Sequence, residues 1–116
     1  MFKTKITIGD VLCASLCQGA STVRYFQVVA VKGNLVKVRE IMVKVLSLVN
    51  MSGECLPLLN EFIGDDVLTR RVNVGEYIRI GNSDHSDSFD LAYLEPYEIG
   101  ENNQRKYTPQ YVSCCF

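Results

Sequence analysis

Residues 24–41 read RYFQVVAVKGNLVKVREI and contain two runs rich in β-branched and aromatic residues on either side of a Gly-Asn pair. Such a stretch predicts a β-hairpin. Gly33 and Asn34 are residue types that tolerate the positive φ of a tight turn, so the turn is expected there. The hairpin is long enough to organise a small β fold around it.

Alternation along the two strands predicts which side of the hairpin each residue occupies. One face carries the apolar residues Phe26, Val28, Ala30, Val36 and Val38. The other face carries Lys37 and Arg39, together with Leu35 and Ile41. A slip of one residue would bury Lys37 and Arg39, so the pattern also predicts the register.

The rest of the chain consists of short extended segments separated by turn clusters. Residues 3–12 predict a strand with Ile6 and Ile8 facing inward and a turn at Gly9-Asp10, and residues 13–22 predict a loop. Residues 42–49 continue the hairpin, and further strands are expected at 56–59, 67–72, 76–80 and 106–112, with a strand or helical turn at 91–94.

These segments predict a mostly β protein. The expected fold is one small domain over residues 1–116, an antiparallel twisted sheet curled into a partly open SH3-like barrel. Its predicted core comprises Ile6, Ile8, Phe26, Val28, Ala30, Val36, Val38, Leu68, Ile78 and Ile80.

Composition is ordinary for a globular protein. The chain has 116 residues, of which 47% are hydrophobic and 22% charged, which fits one domain. No run of about 18 apolar residues suggests a transmembrane helix, and the N-terminus has no apolar segment typical of a secretory signal. We therefore expect a cytoplasmic protein without membrane association, in which the five cysteines are free thiols.

Charge is distributed unevenly along the chain, although the net charge is only −1. Residues 1–44 contain seven bases and two acids, whereas residues 45–104 contain three bases and eleven acids. This asymmetry predicts one basic and one acidic face, unless the two halves interleave in space and their charges mix.

The acidic part ends in a segment without Lys or Arg between Arg79 and Arg105. Its carboxylates are Asp84, Asp87, Asp90, Glu95, Glu98 and Glu101. Carboxylates in loops reach solvent and can imitate phosphates or dock onto a basic groove of a partner, with Tyr93 and Tyr97 as aromatic anchors. The alternative interpretation is a solvated segment that keeps the protein soluble.

A second candidate surface is basic. Strand tyrosines together with cations could stack on bases and contact phosphates. The cations concerned are Lys37, Arg39, Arg70, Arg71 and Arg79. This predicts a small barrel that binds nucleic acid or a nucleotide, and the alternative is ordinary solvated strand residues.

Other motifs predict no catalytic, metal or cofactor site. His85 lies between Asp84 and Ser86, but a triad needs a held geometry and not adjacency in sequence. Cys13, Cys17, Cys114 and Cys115 do not have the spacing of a closed zinc site. We therefore expect a protein that is not an enzyme and holds neither metal nor cofactor.

Taken in order, several pieces of the chain resemble a group of small accessory proteins of phages and prophages. They are Ile8-Gly9-Asp10-Val11-Leu12, Ser15, Tyr25-Phe26-Gln27-Val28-Val29, Val38-Arg39-Glu40-Ile41, Phe62-Ile63-Gly64, Arg70-Arg71-Val72, Tyr77-Ile78-Arg79-Ile80, Ala92-Tyr93 and Tyr107-Thr108.

The chain differs from that group in its first loop. Leu16-Cys17-Gln18 stands where the group usually has Trp-Gly-Tyr, and Thr22 and Arg24 stand where it usually has Asn and Asp. The resemblance implies a small phage-borne protein similar to compact inhibitors of host defence, including anti-CRISPR proteins. The expected partner is a host protein complex, with CRISPR effectors among the candidates.

Overall fold

The structure is a computed structural model that describes residues 3–18, 20–49, 52–80 and 91–113. Within these ranges the chain forms ten strands and one 3-10 turn, Glu101–Asn103. The strands are β1 (Val11–Gln18), β2 (Ala20–Lys32), β3 (Leu35–Val49), β4 (Ser52–Phe62), β5 (Leu68–Arg71), β6 (Tyr77–Arg79), β7 (Leu91–Leu94), β8 (Tyr97–Ile99), β9 (Arg105–Tyr107) and β10 (Gln110–Ser113). None of the described segments forms a helix with the length and apolar character needed to span a membrane.

Every strand pairing is antiparallel, which confirms the predicted fold class. The main sheet has the order β10-β4-β3-β2-β1-β7-β6, with β5 paired to the first part of β3, and β8 and β9 form a separate two-stranded sheet. The main sheet curls so that β5 comes close to β6 without pairing with it. The sheet is therefore partly open and does not close into a barrel.

The central hairpin is confirmed. Lys32 pairs with Leu35 across a two-residue turn, and Gly33 takes a positive φ of 59°, as in a type II′ turn with glycine at its first central position. Val28 lies opposite Val38, and both side chains are fully buried. The predicted continuation of the second strand is also confirmed, because β3 extends to Val49.

A β-bulge changes the end of the first hairpin strand. The register shifts between Val28 and Ala30, so Ala30 lies opposite Lys37 and Val31 opposite Val36. The extra residue reverses the inward and outward alternation beyond it. The prediction of Ala30 as a core residue is therefore wrong, and Val31 packs against the core in its place.

Two predictions for the N-terminal segment are also wrong. Residues 3–10 form no strand, and Ile6 is buried whereas Ile8 is 63% exposed. Gly9 does form the predicted turn, with a φ of 94°. Its amide donates to the Val28 carbonyl at 2.9 Å, and the Val28 amide donates to the Asp10 carbonyl at 2.8 Å. The turn therefore attaches this segment to β2, and Ile6 packs in the core.

Within the loop predicted for residues 13–22, residues 13–18 and 20–22 are strand in the structure. The β1–β2 ladder extends from the Val11–Gln27 pair to the Gln18–Ala20 pair. Small and polar residues have weak strand propensity, but burial against neighbouring strands can stabilise a strand in spite of it. Ala14, for example, is fully buried. The tertiary context therefore overrides the local composition.

The second half of the chain follows the prediction more closely. Strands β5, β6 and β7 form where expected, and Ile78 and Ile80 face the core. The sequence pattern missed β8, and the single strand expected at 106–112 is two strands, β9 and β10.

The sheet is covered on both faces, which produces two apolar cores. The first core contains nearly all the predicted residues; its buried members are Ile6, Leu12, Ala14, Phe26, Val28, Val36, Val38, Val72, Ile78, Ile80 and Ala92, with Leu68 packed against them. The second core lies on the opposite face and has as buried members Val11, Tyr25, Ile41, Cys55 and Tyr107.

The first core allows a direct test of the fold. Val38→Ala removes two buried methyl groups and should lower the free energy of unfolding by on the order of 1–3 kcal/mol, through lost burial and a residual cavity. Val74→Ala is the matched control, because Val74 is the same residue type at an exposed position. Urea denaturation of both variants measures the effect, and equal midpoints would contradict the assignment of Val38 to the core.

Candidate functional site

The structure describes three of the six acidic residues predicted to contact a partner. Asp84, Asp87 and Asp90 lie outside the described residues, as does His85. Glu98 and Glu101 are exposed as expected. Glu95 is only 8% exposed, so the expectation that its carboxylate reaches solvent is wrong.

Glu95 is buried because it continues the β7–β1 pairing. Its amide donates to the Val11 carbonyl at 2.8 Å, directly after the Leu12–Leu94 pair of that ladder. The side chain lies near Cys13 and Tyr25, and its negative charge contributes to a raised pKa at both. Glu95 is therefore part of the interior and not of the candidate binding surface.

The exposed acidic residues belong to the β8–β9 hairpin, which carries Tyr97, Glu98 and Ile99 on β8 and Glu101 in its turn. Tyr97 is 40% exposed and Ile99 is 61% exposed. We call these four residues the hairpin surface. It combines one aromatic, one aliphatic and two acidic side chains within five consecutive positions.

The hairpin brings basic residues back to the acidic segment. Glu98 pairs in register with Lys106, and Ile99 pairs with Arg105. The separation between Arg79 and Arg105 in sequence suggested that the acidic residues lack basic neighbours, and for Glu98 this expectation is wrong. The field of the hairpin surface is therefore weaker than a run of uncompensated carboxylates would produce.

An ion pair fixes the hairpin to the body of the protein. Arg105 Nη1 donates to Asp10 Oδ1 at 2.7 Å, and the guanidinium lies 4.4 Å from the centroid of the Tyr97 ring. The other carboxylate oxygen of Asp10 accepts from the Thr7 amide at 2.8 Å. Because Asp10 is buried, this pair is shielded from water more than a surface ion pair would be.

Tyr107 anchors the other strand of the hairpin. Its ring is buried in the second core and lies 5.6 Å from the Tyr97 ring, measured between centroids. Burial raises the pKa of the Tyr107 phenol, and the neighbouring Arg105 cation opposes that rise. The hydroxyl lies beside Arg105 but meets no group with hydrogen-bond geometry among the described residues.

A cleft of about 440 Å³ separates the hairpin from β4. Its walls include Leu56, Pro57 and Leu59 on one side and Glu101 and Lys106 on the other. Pro57 was expected at a strand edge, and β10 pairs with β4 only as far as Cys55, so no strand of the described ladder pairs with β4 on that side at Pro57. The hairpin surface therefore borders an open, partly apolar groove.

The two tyrosines proposed as anchors lie in different parts of the fold. Tyr93 belongs to β7 of the main sheet, is exposed, and packs against Tyr77 with 5.1 Å between ring centroids. Tyr97 belongs to the hairpin. Only Tyr97 is therefore part of the hairpin surface as defined above.

The predicted basic residues divide into structural and exposed groups. Arg70 is structural, because its guanidinium donates to the carbonyls of Thr69, Arg79 and Ile80 at 2.9–3.0 Å. Arg39 donates to the Gly64 carbonyl at 2.7 Å and stacks on Phe62. Both guanidiniums therefore have partners within the protein, which leaves them less available to phosphates than an exposed, unbonded cation.

Lys37, Arg71 and Arg79 are exposed. Lys37 and Arg71 lie on neighbouring strands, opposite Thr69 and Leu35 respectively, and so share one face of the sheet. Arg79 lies on β6, which curls round close to β5, and its carbonyl accepts from Arg70 at 2.9 Å. Of the five predicted cations, the strand ladder places only Lys37 and Arg71 together on one face.

The buried groups beside Glu95 form a weakly polar cluster in the second core. The Tyr25 hydroxyl lies 3.8 Å from the Cys55 sulfur. Burial raises the pKa of the Cys13 thiol to about 12, with further contributions from Glu95 and Cys55. Cys13 is therefore neutral at physiological pH and is not an activated nucleophile.

No group of three or more His, Cys, Asp or Glu side chains comes together as metal ligands would within the described ranges. Of the four cysteines considered for zinc, Cys114 and Cys115 lie outside those ranges.

Comparisons with protein-family models, curated proteins and solved structures found no match to this chain. The resemblance to phage proteins therefore stays a prediction.

The hairpin anchor can be tested by substitution. Arg105→Met keeps the aliphatic stem but leaves the buried Asp10 carboxylate without its cation, which should lower the free energy of unfolding by about 3 kcal/mol. Lys106→Met, at the neighbouring exposed position, should change it by about 0.5 kcal/mol or less. The measurement is urea denaturation. Adding Asp10→Asn to Arg105→Met should recover part of the loss, and strictly additive losses would contradict a direct pair.

The Cys13 environment predicts a pH effect. Because the folded pKa is raised from 9.0 to about 12, the neutral thiol stabilises the fold fully below pH 9, and that contribution is lost as the pH rises toward 12. The free energy of unfolding should therefore fall less steeply in Cys13→Ala than in the wild type between about pH 9 and pH 11. Urea denaturation across this range compares the slopes, and identical slopes would contradict the raised pKa.

Proposed function

We propose that the protein is a non-catalytic accessory protein that binds a host defence complex and inhibits it, with the hairpin surface as the point of contact. The observation that carries this proposal is the exposure of all three residues of β8 on a hairpin held by the Asp10–Arg105 pair. A surface held rigidly in advance loses less conformational entropy on binding than a mobile loop.

The chemistry of the hairpin surface supports protein binding. Aromatic and aliphatic side chains supply the buried area at the centre of an interface, and a polar rim surrounds them. Tyr97 and Ile99 can serve as the centre, because both leave a large part of the side chain in water. Glu98 points to the opposite face of β8 from Tyr97 and Ile99, so Glu98 and Glu101 lie at the edge of this centre, where they favour a partner with basic side chains.

The class of partner follows from the same charge pattern together with the phage resemblance. Complexes that bind nucleic acid carry basic grooves, and carboxylates can occupy such grooves in place of phosphates. CRISPR effectors are complexes of this kind, and the resemblance to small phage proteins makes them the first candidates. The site of action would then be the cytosol of the host cell.

The burial of Glu95 changes which substitutions should test this proposal. Reversing Asp87, Asp90 and Glu95 would be the direct test of the acidic segment, but lysine at position 95 would place a charge in the interior. Glu98→Lys with Glu101→Lys reverses two exposed charges on the hairpin. Glu54→Lys with Glu61→Lys is the matched control, because it makes the same charge change at exposed positions of β4.

A plasmid-interference assay in cells carrying an active CRISPR system provides the readout. The wild type should restore transformation by a targeted plasmid, and the β4 control should do so equally. The hairpin variant should lose at least about fivefold of the effect, since two edge charges typically contribute about 1 kcal/mol or more together. Equal activity of both double variants, with unchanged urea midpoints, would contradict the hairpin surface. Failure of the wild type across several system types would contradict the proposed target.

A further inference from the structure

A second exposed surface lies at the turn end of the β2–β3 hairpin and is basic. Lys32 and Arg71 both lie opposite Leu35, one on each neighbouring strand, and Lys37 lies two residues further along β3. Directly opposed residues and residues two apart share one face of a sheet. The three cations therefore form one cluster, here called the basic face.

The geometry of the basic face follows from the strand ladder. Neighbouring strands lie about 4.8 Å apart and alternate residues of a strand about 6.8 Å apart, so the three Cα atoms form a triangle with sides of roughly 8–10 Å. Long side chains on such a triangle can each reach a separate phosphate.

The cations of the basic face are available to a ligand. All three side chains are exposed, and within the described part of the chain none of them pairs with a carboxylate. Arg39 and Arg70, by contrast, are held by backbone carbonyls. The uncompensated charge is therefore concentrated on Lys32, Lys37 and Arg71.

The surface between these cations is small and partly apolar. Ala30 and Thr69 flank Lys37, and a groove of about 260 Å³ runs along Lys32, Lys37 and Thr69. Leu35 lies between Lys32 and Arg71 and is 47% exposed, but the lysine and arginine side chains are longer than leucine, so a polyanion can approach the three cationic groups together.

We infer that the basic face binds the phosphate backbone of nucleic acid, at a site separate from the hairpin surface. Charge complementarity carries the inference: three uncompensated cations on one face match a regular array of phosphates. Contacts to phosphates carry no sequence information, so binding should be independent of sequence. Of the five cations named from the sequence, only Lys37 and Arg71 belong to this site, and Lys32 was missed.

The test uses the full-length chain and a fluorescein-labelled DNA duplex of random sequence, measured by fluorescence anisotropy over a range of salt concentrations. Three phosphate contacts should give a slope of log K against log salt of about −2.7. The variant Lys32→Gln/Lys37→Gln/Arg71→Gln should bind at least about tenfold more weakly at low salt and lose most of that slope. A duplex of different sequence should bind equally.

A matched control removes the same charge elsewhere. Lys5→Gln/Lys44→Gln/Lys106→Gln neutralises three exposed lysines on other parts of the chain than the basic face, and it should retain the wild-type slope. An equal loss in this control would show that only net charge matters and would overturn the site. If the triple variant of the basic face does not fold, Lys32→Gln and Arg71→Gln are tested singly, each with an expected slope change of about one.

An anionic membrane is the alternative ligand that could bind the basic face. Vesicles of phosphatidylserine and phosphatidylcholine in a sedimentation assay distinguish them, because the inference predicts binding to the duplex and not to the vesicles. Vesicle binding that depends on the basic face, without duplex binding, would overturn the inference. The absence of any salt-dependent duplex binding by the wild type would also overturn the inference.

Discussion

The simultaneous burial of Tyr25 and Phe26 is the constraint on which the rest of the fold depends. These adjacent residues of β2 point to opposite faces of the sheet, yet they are 0% and 1% exposed. A strand buried on both sides needs cover from both sides, which an isolated antiparallel hairpin cannot supply. The first face is covered by the N-terminal segment and by β5, β6 and β7, and the second by residues of β4 and of the β8–β9 hairpin.

Asp10 connects these two layers. Its backbone carbonyl accepts from the Val28 amide at 2.8 Å, and its carboxylate binds Thr7 and Arg105. One buried acidic residue thereby links the N-terminal segment, the central strand and the hairpin near the C-terminus. Gln27 acts similarly toward β4, because its side-chain amide bonds both the backbone and the side chain of Asn60, which has a positive φ of 66°. Polar groups buried in such networks specify one arrangement of the covering segments.

How far the sequence predicts this protein depends on the range of the interactions involved. The hairpin, the turn at Gly33 and the inward faces of Ile78 and Ile80 follow from local pattern, and the structure confirms them. The burial of Glu95 and the strand at residues 13–18 depend on pairing with distant segments, which no local window contains. The Asp10–Arg105 pair joins residues 95 positions apart. The bulge after Val28 decides which residues of β2 share a face with Lys37. No glycine or other turn residue indicates this bulge in the sequence, so the basic face could not be predicted.

The position of the basic face follows from where the cover of the second core ends. On the face that carries Tyr25 and Ile41, the apolar layer extends along β3 as far as Arg39. There the guanidinium stacks 4.1 Å from the centroid of the Phe62 ring and bonds the Gly64 carbonyl, so one cation closes the edge of the core with its apolar plane. Beyond Arg39 the same face meets water, and its next residues along β3 are Lys37 and Leu35. The exposed charges Lys37 and Arg71 therefore begin where this cover ends, next to the turn of the hairpin that organises the fold.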